Sequence, residues 1–169
     1  MSSRSANSVP LDYSKSCGGA ALGARLRRAS EVIDRQATLI YQMFGTEFEQ
    51  RWYGILNLLH RFGGLTVGEI AASLCISHVA VVQARASLES RQFIKSKTDI
   101  NDSRRRILSL TSQGRALVEH LMPIWQHMDD AARALNAESG DLVATLDALE
   151  DALARQSLVD RVMKRTSLA

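Results

Sequence analysis

The segment 77–111 constrains the fold more than any other part of the chain. It begins with Ser77, a residue that can cap a helix, and Val81, Ala84 and Leu88 follow at helical spacing. Two short strand-like runs, 93–95 and 106–110, come next, and a polar tip rich in Asp and Arg separates them. The segment therefore predicts a helix followed directly by a β-hairpin.

A shorter helix precedes this segment. Thr66 and Glu69 have the spacing of a capping box, which predicts a helix over residues 67–74. Only two residues separate its end from Ser77, and two helices joined by so short a turn are typical of a helix-turn-helix. Together with the hairpin, the pattern predicts a winged helix-turn-helix.

Amphipathic helices flank this unit on both sides. Apolar residues recur at three- and four-residue steps over 22–44, 117–135 and 142–163, and Pro123 predicts a bend in the second of these stretches. The stripes could pack on one another within one chain or pair with a second copy. Seam-like spacing near both chain ends favours a homodimer.

These patterns predict a mainly α-helical protein with a small β-hairpin wing. A second helix is expected over 47–62, and Ser139 is expected to cap one last helix that continues to about Met163. The predicted regions are a flexible arm (1–19), an N-terminal dimerisation helix (20–46), a winged helix-turn-helix (47–115, with recognition helix 77–91 and wing 93–110) and C-terminal dimerisation helices (116–169).

Charge is distributed unevenly along the chain. The net charge is only +3, but seven bases and three acids lie between positions 85 and 106. Seven acids and one base lie between positions 129 and 151. Positive charge gathered on the helix and hairpin is typical of a surface that binds a polyanion, although a charged run can equally be a solvated face.

Several classes of protein are disfavoured. There is no uninterrupted apolar run of membrane-spanning length and no apolar signal segment, and the two cysteines lack CxxC spacing, so a cytoplasmic protein is expected. The chain shows no Ser/His/Asp order, phosphate-binding glycine loop or ligand cluster, so we expect no enzyme, cofactor or metal.

Some single residues leave alternatives open. Cys17 could sense an oxidant or be an ordinary thiol near the chain end, and Cys75, in the short turn, is expected to be buried and inert. His120 and His127, with Asp130 nearby, could bind a metal or could simply lie in the packing or at the surface.

The predicted recognition helix carries few side chains that can read bases. At about 100° per residue, Val79, Val82 and Gln83 lie opposite the core positions. Only Gln83 can make a bidentate contact with adenine, and His78 lies on the flank. The alternative for the two valines is burial against the neighbouring helix.

The tip of the hairpin suits a narrow minor groove. Arginine is always charged and planar, and Asp102 can orient the guanidinium of Arg104. Helix starts present free N–H groups, so Thr66 and Ser77 could contact phosphate as well as cap. The candidate DNA-binding residues are Thr66, Ser77, His78, Val79, Val82, Gln83, Arg91, Lys95, Lys97, Asp102, Arg104, Arg105 and Arg106.

Three runs of the sequence resemble the MarR family of bacterial transcriptional regulators: LTVGEIAASLCIS, SLESRQFI and DINDSRRRILSLTSQGRAL. The most specific part is Asp102-x-Arg104 followed by Leu110-Thr111-x-x-Gly114. The resemblance implies double-stranded DNA binding by a homodimer, through a recognition helix and a wing, often relieved by a small-molecule or oxidant effector. A protein–protein adaptor built on the same fold is the alternative function. One departure is Gln92, which stands where the family usually has glycine.

The runs TEFEQRW and MPIWQHMDDAARAL are similar to a subgroup in which this module precedes an N-acetyltransferase domain. No Gly-rich acetyl-coenzyme A loop is present, so no acetyl transfer is expected. Aromatic residues on the helices could surround an effector pocket, or they could form the core and the dimer seam: Tyr41, Trp52, Tyr53, His60 and Trp125.

Overall fold

The computed structural model describes residues 11–98 and 105–166. By its internal contacts the chain divides into two compact units, Met1–Gly114 and Arg115–Ala169. The predicted class is confirmed, since helices dominate and the strands form one small sheet. The elements are α1 (Leu22–Met43), α2 (Tyr53–Phe62), β1 (Leu65–Thr66), α3 (Val67–Leu74), α4 (His78–Ser90), β2 (Ile94–Thr98), β3 (Arg106–Leu110), α5 (Ser112–Glu138), α6 (Leu142–Arg155) and α7 (Leu158–Thr166).

The helix-turn-helix is formed by α3 and α4, and both predicted caps are present. The Thr66 hydroxyl accepts the backbone N–H of Glu69, and the Glu69 carboxylate accepts the backbone N–H of Thr66, which completes the capping box. The Ser77 hydroxyl accepts the N–H of Ala80. Between the helices Cys75 adopts a left-handed conformation with φ of 52° and is exposed, so the expectation of a buried thiol was wrong.

The helix α4 buries its predicted stripe. Val81, Ala84 and Leu88 are all buried in the core of the first unit, as their three- and four-residue spacing predicts. Ile70 of α3, a helix that packs against α4, is buried too, as are Ile55 and Leu56 of α2, which packs against α3. The position of α4 is therefore set by apolar packing inside the chain.

The hairpin is part of a three-stranded antiparallel sheet in the order β1-β3-β2. Residues 65–66, for which the sequence predicts no strand, pair with β3 so that Leu65 lies opposite Leu108. Two residues are too few to show an alternating pattern, so this strand exists only through its pairing.

The strand register decides which wing side chains share a face. Ile94 lies opposite Leu110 and Thr98 lies opposite Arg106, while Lys97 lies opposite Ile107. Because side chains alternate along a strand, Arg106 is on the same face of the sheet as the buried Ile94 and Leu110. The side chain of Lys97 is on the other face.

A tight junction joins the wing to α5. Gln92 leaves α4 in a left-handed conformation with φ of 58°, and the carbonyl of Phe93 accepts the N–H of Thr111 at 3.0 Å. The Thr111 hydroxyl accepts the N–H of Gly114 at 3.0 Å, which confirms a helix start at this residue. A β-carbon on Gly114 would lie 1.9 Å from the Phe93 carbonyl oxygen, so only glycine fits.

The region before α2 differs from the expectation of one helix over 47–62. Residues Gln50–Trp52 form a single 3-10 turn, and α2 begins only at Tyr53. Residues 47–49 are not helical, and their side chains contact α1 and α4. Near the N-terminus, Tyr13–Ser16 and Gly18–Ala21 form 3-10 turns, so the described part of the predicted arm has local structure.

The second unit holds α6, α7 and all but the first turn of α5, with Pro123 inside α5. The cap of α6 is Asp141, whose carboxylate accepts the N–H of Ala144, and not Ser139 as predicted. The last helix is also broken in two. The Ser157 hydroxyl accepts the N–H of Asp160 and starts α7, a polar cap that interrupts the apolar pattern.

Candidate nucleic-acid interface

A basic groove runs between the helix-turn-helix and the wing. It encloses about 620 Å³, and α3, α4 and the start of β3 supply its walls. Three arginines line it, and within 11–98 and 105–166 Glu69 is the only acidic residue that does so. The lining residues are Thr66, Val67, Gly68, Glu69, Ala72, His78, Val82, Arg85, Arg105 and Arg106.

The outer face of α4 is open beside this groove. Val79 is 64% exposed and Val82 is 44% exposed, so burial against the neighbouring helix, the alternative for these two valines, is wrong. Ser77, His78 and Gln83 are exposed as well. The candidate base-reading side chains of the recognition helix therefore all reach the surface on one side of the unit.

Arginines from different elements meet in the basic groove. Arg85 comes from α4, where its Nε donates to Glu89 at 3.2 Å, while Arg106 begins β3 and Arg105 directly precedes it. Arg85 was not among the predicted contacts. Its position seven residues after His78 places it near the same side of the helix, and that spacing was the signal available in the sequence.

Glu69 is the one acidic residue among the described residues that line the groove. Its carboxylate accepts the hydroxyl and the backbone N–H of Thr66, each at 2.7 Å, and these hydrogen bonds lower the pKa of Glu69. Its other oxygen lies 3.5 Å from Nη2 of Arg105. A carboxylate that stays ionised at this position holds one groove arginine near the start of α3.

Thr66 differs from its predicted role as a phosphate contact. The side chain is only 8% exposed, and its hydroxyl and backbone N–H both donate to Glu69. No donor of Thr66 is left for a ligand while this capping box stands. Its role is to start α3, whereas the Ser77 cap is exposed.

The predicted cations of the wing lie on two opposite faces of the sheet. Arg106 lines the basic groove, while Lys95 and Lys97 project from the opposite face of the sheet and are exposed. Asp102 and Arg104, the predicted tip contacts, lie outside the described residues.

Arg91, another predicted contact, ends α4 away from the groove. Its Nη1 donates to the Glu47 carboxylate at 3.0 Å. One turn earlier, the Ser87 hydroxyl donates to Glu49 at 3.0 Å. The end of the recognition helix is thus tied to residues 47–49, a contact that no local sequence pattern predicts.

Two of the predicted effector-pocket residues belong to the core of the first unit. Tyr41 and Trp52 are buried, and the Tyr41 hydroxyl donates to Gln50 at 3.0 Å. Phe48 lies between their rings, with centroid distances of 4.5 and 5.6 Å. This arrangement favours the alternative that these aromatics form core.

The other pocket candidates are more dispersed. Tyr53 and His60 lie seven residues apart on α2, and Trp125 lies on α5 in the second unit. A small cavity of about 240 Å³ is lined by Trp52 but not by Tyr41, Tyr53 or His60. Within the described residues, the indole N–H of Trp52 and Nδ1 of His60 are buried without a hydrogen-bond partner.

Among residues 11–98 and 105–166, no three His, Cys, Asp or Glu side chains come together as a metal site. No single helix in the same ranges is long and apolar enough to cross a membrane. Taken together, α3 and α4 have the length and composition of a membrane span, but the two helices are bent by 117° at the break between them.

Comparisons with known proteins agree with this geometry. Residues 47–105 match the model of the MarR family. No curated protein matches the chain.

Solved structures match the fold of most of the chain. The MepR–DNA complex of S. aureus is 24% identical with a TM-score of 0.65, over 78% of this chain and 97% of MepR. The PcaV regulator of Streptomyces coelicolor, in complex with its natural ligand, is 20% identical with a TM-score of 0.63, over 85% and 98%. BpsR of Bordetella bronchiseptica, whose DNA binding is regulated by 6-hydroxynicotinic acid, is 23% identical with a TM-score of 0.63, over 85% and 99%. Residues 47–105 thus match the MarR family model, and most of the chain has the winged helix fold of these solved regulators.

Proposed function

We propose that this protein is a transcriptional regulator that binds specific double-stranded DNA as a homodimer. The observation that carries the proposal is the basic groove, in which Arg85, Arg105 and Arg106 meet beside the exposed face of α4. A duplex presents a dense row of phosphates, and a groove with three arginines attracts it. The exposed helix then enters the major groove.

The proposed contacts fall into two groups. Gln83 and His78 meet base edges, since each carries a side chain that can hydrogen-bond there, and Val79 and Val82 touch thymine methyl groups. The cations position the duplex through phosphates, and the wing tip enters the minor groove. The proposed positioning residues are Ser77, Arg85, Lys95, Lys97, Asp102, Arg104, Arg105 and Arg106.

A second copy of the chain would cover apolar surface that a single chain exposes. Ile33 on α1 is 51% exposed, and Leu22, Leu26 and Phe44 on the predicted stripe are exposed too. The same holds for Leu158 and Val162 on α7. Large exposed apolar faces at both ends of a chain are typical of an interface, and a two-fold dimer matches a palindromic site.

Regulation by a small molecule is part of this proposal. PcaV is known in complex with a natural ligand and BpsR is regulated by 6-hydroxynicotinic acid, and both share this fold. We infer that an effector lowers the DNA affinity of this protein too. We also propose that the chain belongs to the subgroup that resembles the regulator half of N-acetyltransferase fusions. This part of the proposal depends only on the runs TEFEQRW and MPIWQHMDDAARAL.

Sequence-specific DNA binding is tested by selecting bound sequences from a random duplex pool at a fixed salt concentration. We expect enrichment of two inverted half-sites about one helical turn apart. A mobility-shift series on the selected duplex should show affinity falling steeply with salt. No enrichment, together with salt-insensitive or absent binding, would overturn the proposal and favour a protein–protein adaptor.

A further inference from the structure

We propose that residues 47–49, named the brace here, are positioning residues that hold the recognition helix α4 in its DNA-binding place. The proposal rests on the proposed function. Two contacts define the brace. Glu49 Oε1 accepts the Ser87 hydroxyl at 3.0 Å, and Glu47 Oε2 accepts from Arg91 Nη1 at 3.0 Å.

The brace is itself anchored to α1. The N–H of Thr46 donates to the carbonyl of Tyr41 at 2.9 Å, and the Tyr41 hydroxyl donates to Gln50 at 3.0 Å. Within the brace, the Phe48 ring is 5% exposed and lies 4.5 Å from that of Tyr41. Phe48 and the two residues that flank the brace therefore contact one end of α1, while Glu47 and Glu49 contact the last turn of α4.

The two contacts of the brace differ in strength. The Glu47 side chain is 82% exposed, so its ion pair with Arg91 is of the weak surface kind. The Glu49 contact is partly buried, and its acceptor is a charged carboxylate. Arg51 Nε donates to the other oxygen of Glu49 at 2.6 Å, which orients the carboxylate and leaves Oε1 for Ser87. Glu49 with Ser87 is thus the main contact.

The brace restricts movements of α4 that the apolar core permits. Val81, Ala84 and Leu88 fix how deeply α4 sits, but an apolar stripe permits small rotations and shifts along the helix axis. A directed hydrogen bond at the last turn limits both. Because α1 carries the exposed apolar stripe, the brace also links the proposed dimer helix to the helix that reads DNA.

The test compares Ser87→Ala and Glu49→Ala with wild type on the selected duplex. Each should raise the dissociation constant about fivefold, and the double variant should be no weaker than the weaker single variant, because both remove one interaction. Glu49→Gln keeps a carbonyl acceptor and should restore most of the affinity. The slope of affinity against salt should stay unchanged, because no phosphate contact is lost.

Ser90→Ala is the matched control. The Ser90 hydroxyl donates to the Ser87 carbonyl within α4 and does not touch the brace, so affinity should not change. Hydrogen exchange without DNA gives a second readout. The amides of α4 should exchange faster in Ser87→Ala than in Ser90→Ala.

Three binding results would overturn the brace while leaving the proposed function intact: unchanged affinity of both single variants, losses that add in full in the double variant, or a reduced salt slope. If Glu49→Ala fails to fold, the smaller change Ser87→Ala still decides. A folded wild type without salt-dependent DNA binding would instead overturn the proposed function. Equal rates of hydrogen exchange for the α4 amides in the Ser87→Ala and Ser90→Ala variants would be sufficient to contradict the brace.

Discussion

The helices α4 and α1 have similar apolar stripes, but the stripe of α4 is buried and most of the stripe of α1 is exposed. In α4 the stripe at Val81, Ala84 and Leu88 is completely covered within the chain, and the remaining face is free to meet a ligand. In α1 only Ala37 and Tyr41 are buried, and most of the predicted stripe is exposed. An apolar stripe that the chain covers specifies the fold, whereas one left open calls for a second molecule.

The largest expected effect is at the junction between the wing and α5. In Gly114→Ala the new methyl group would lie 1.9 Å from the Phe93 carbonyl oxygen, so the wing or α5 must move. We expect a loss of at least about 3 kcal/mol in the free energy of unfolding, measured by urea denaturation.

Gly23→Ala is the matched control. A β-carbon there has no atom within 4 Å, and the residue lies inside α1. Because Gly23 lies in the first turn of α1, its replacement by alanine should change the free energy of unfolding by less than about 1 kcal/mol. A Gly114→Ala variant as stable as Gly23→Ala would show that the junction is not close-packed.

The next pair tests the comparison directly. Leu88→Ala removes a fully buried side chain from α4 and should lower the free energy of unfolding by about 2–5 kcal/mol in denaturant titrations. Ile33→Glu places a charge in the exposed stripe of α1. It should leave the monomer folded by circular dichroism and reduce the mass in light scattering from dimer to monomer.

The opposite result for these two variants would contradict the assignment of the α4 stripe to the core and of the α1 stripe to the dimer interface. If Ile33→Glu unfolds the chain and Leu88→Ala only weakens association, the two stripes have been assigned to the wrong partners. A substitution outside the stripe, Arg35→Glu on the exposed surface of α1, should change neither measurement much.

A smaller effect is expected in the basic groove. Arg106→Ala should weaken DNA binding about tenfold and reduce the salt slope by about one, because one phosphate contact is lost. A mobility-shift series over salt measures both. Arg25→Ala, an exposed arginine of α1 outside the groove, should leave both values near wild type, and an equal loss in the two variants would argue against the groove as the interface.

The smallest effect is at the turn that follows α4. Gln92 has φ of 58°, a conformation that glycine adopts without a steric penalty. Gln92→Gly should therefore raise the free energy of unfolding by up to about 1 kcal/mol, detected as a higher melting temperature. Ala86→Gly, at an exposed helical position of α4, should lower it by about 1 kcal/mol, and equal signs for the two would contradict the turn geometry.

Much of the fold could be predicted because it rests on local signals. The capping box at Thr66, the cap at Ser77 and the stripe of α4 each depend on residues three or four positions apart. The predictions failed where local signals end. Residues 65–66 became a strand only through β3, and the predicted helix over 47–62 lost its first turns to contacts with α1 and α4.

The sequence by itself determined the helix-turn-helix, the hairpin and the concentration of bases on them, because caps, periods and charge runs are short-range properties. Only the tertiary structure decided which of those bases share a face. Strand register put Arg106 in the groove and Lys97 on the opposite side, and contacts 38 and 44 residues apart tied Ser87 and Arg91 to the brace. Register and long-range pairing depend on how whole elements dock, and no window of sequence contains that information.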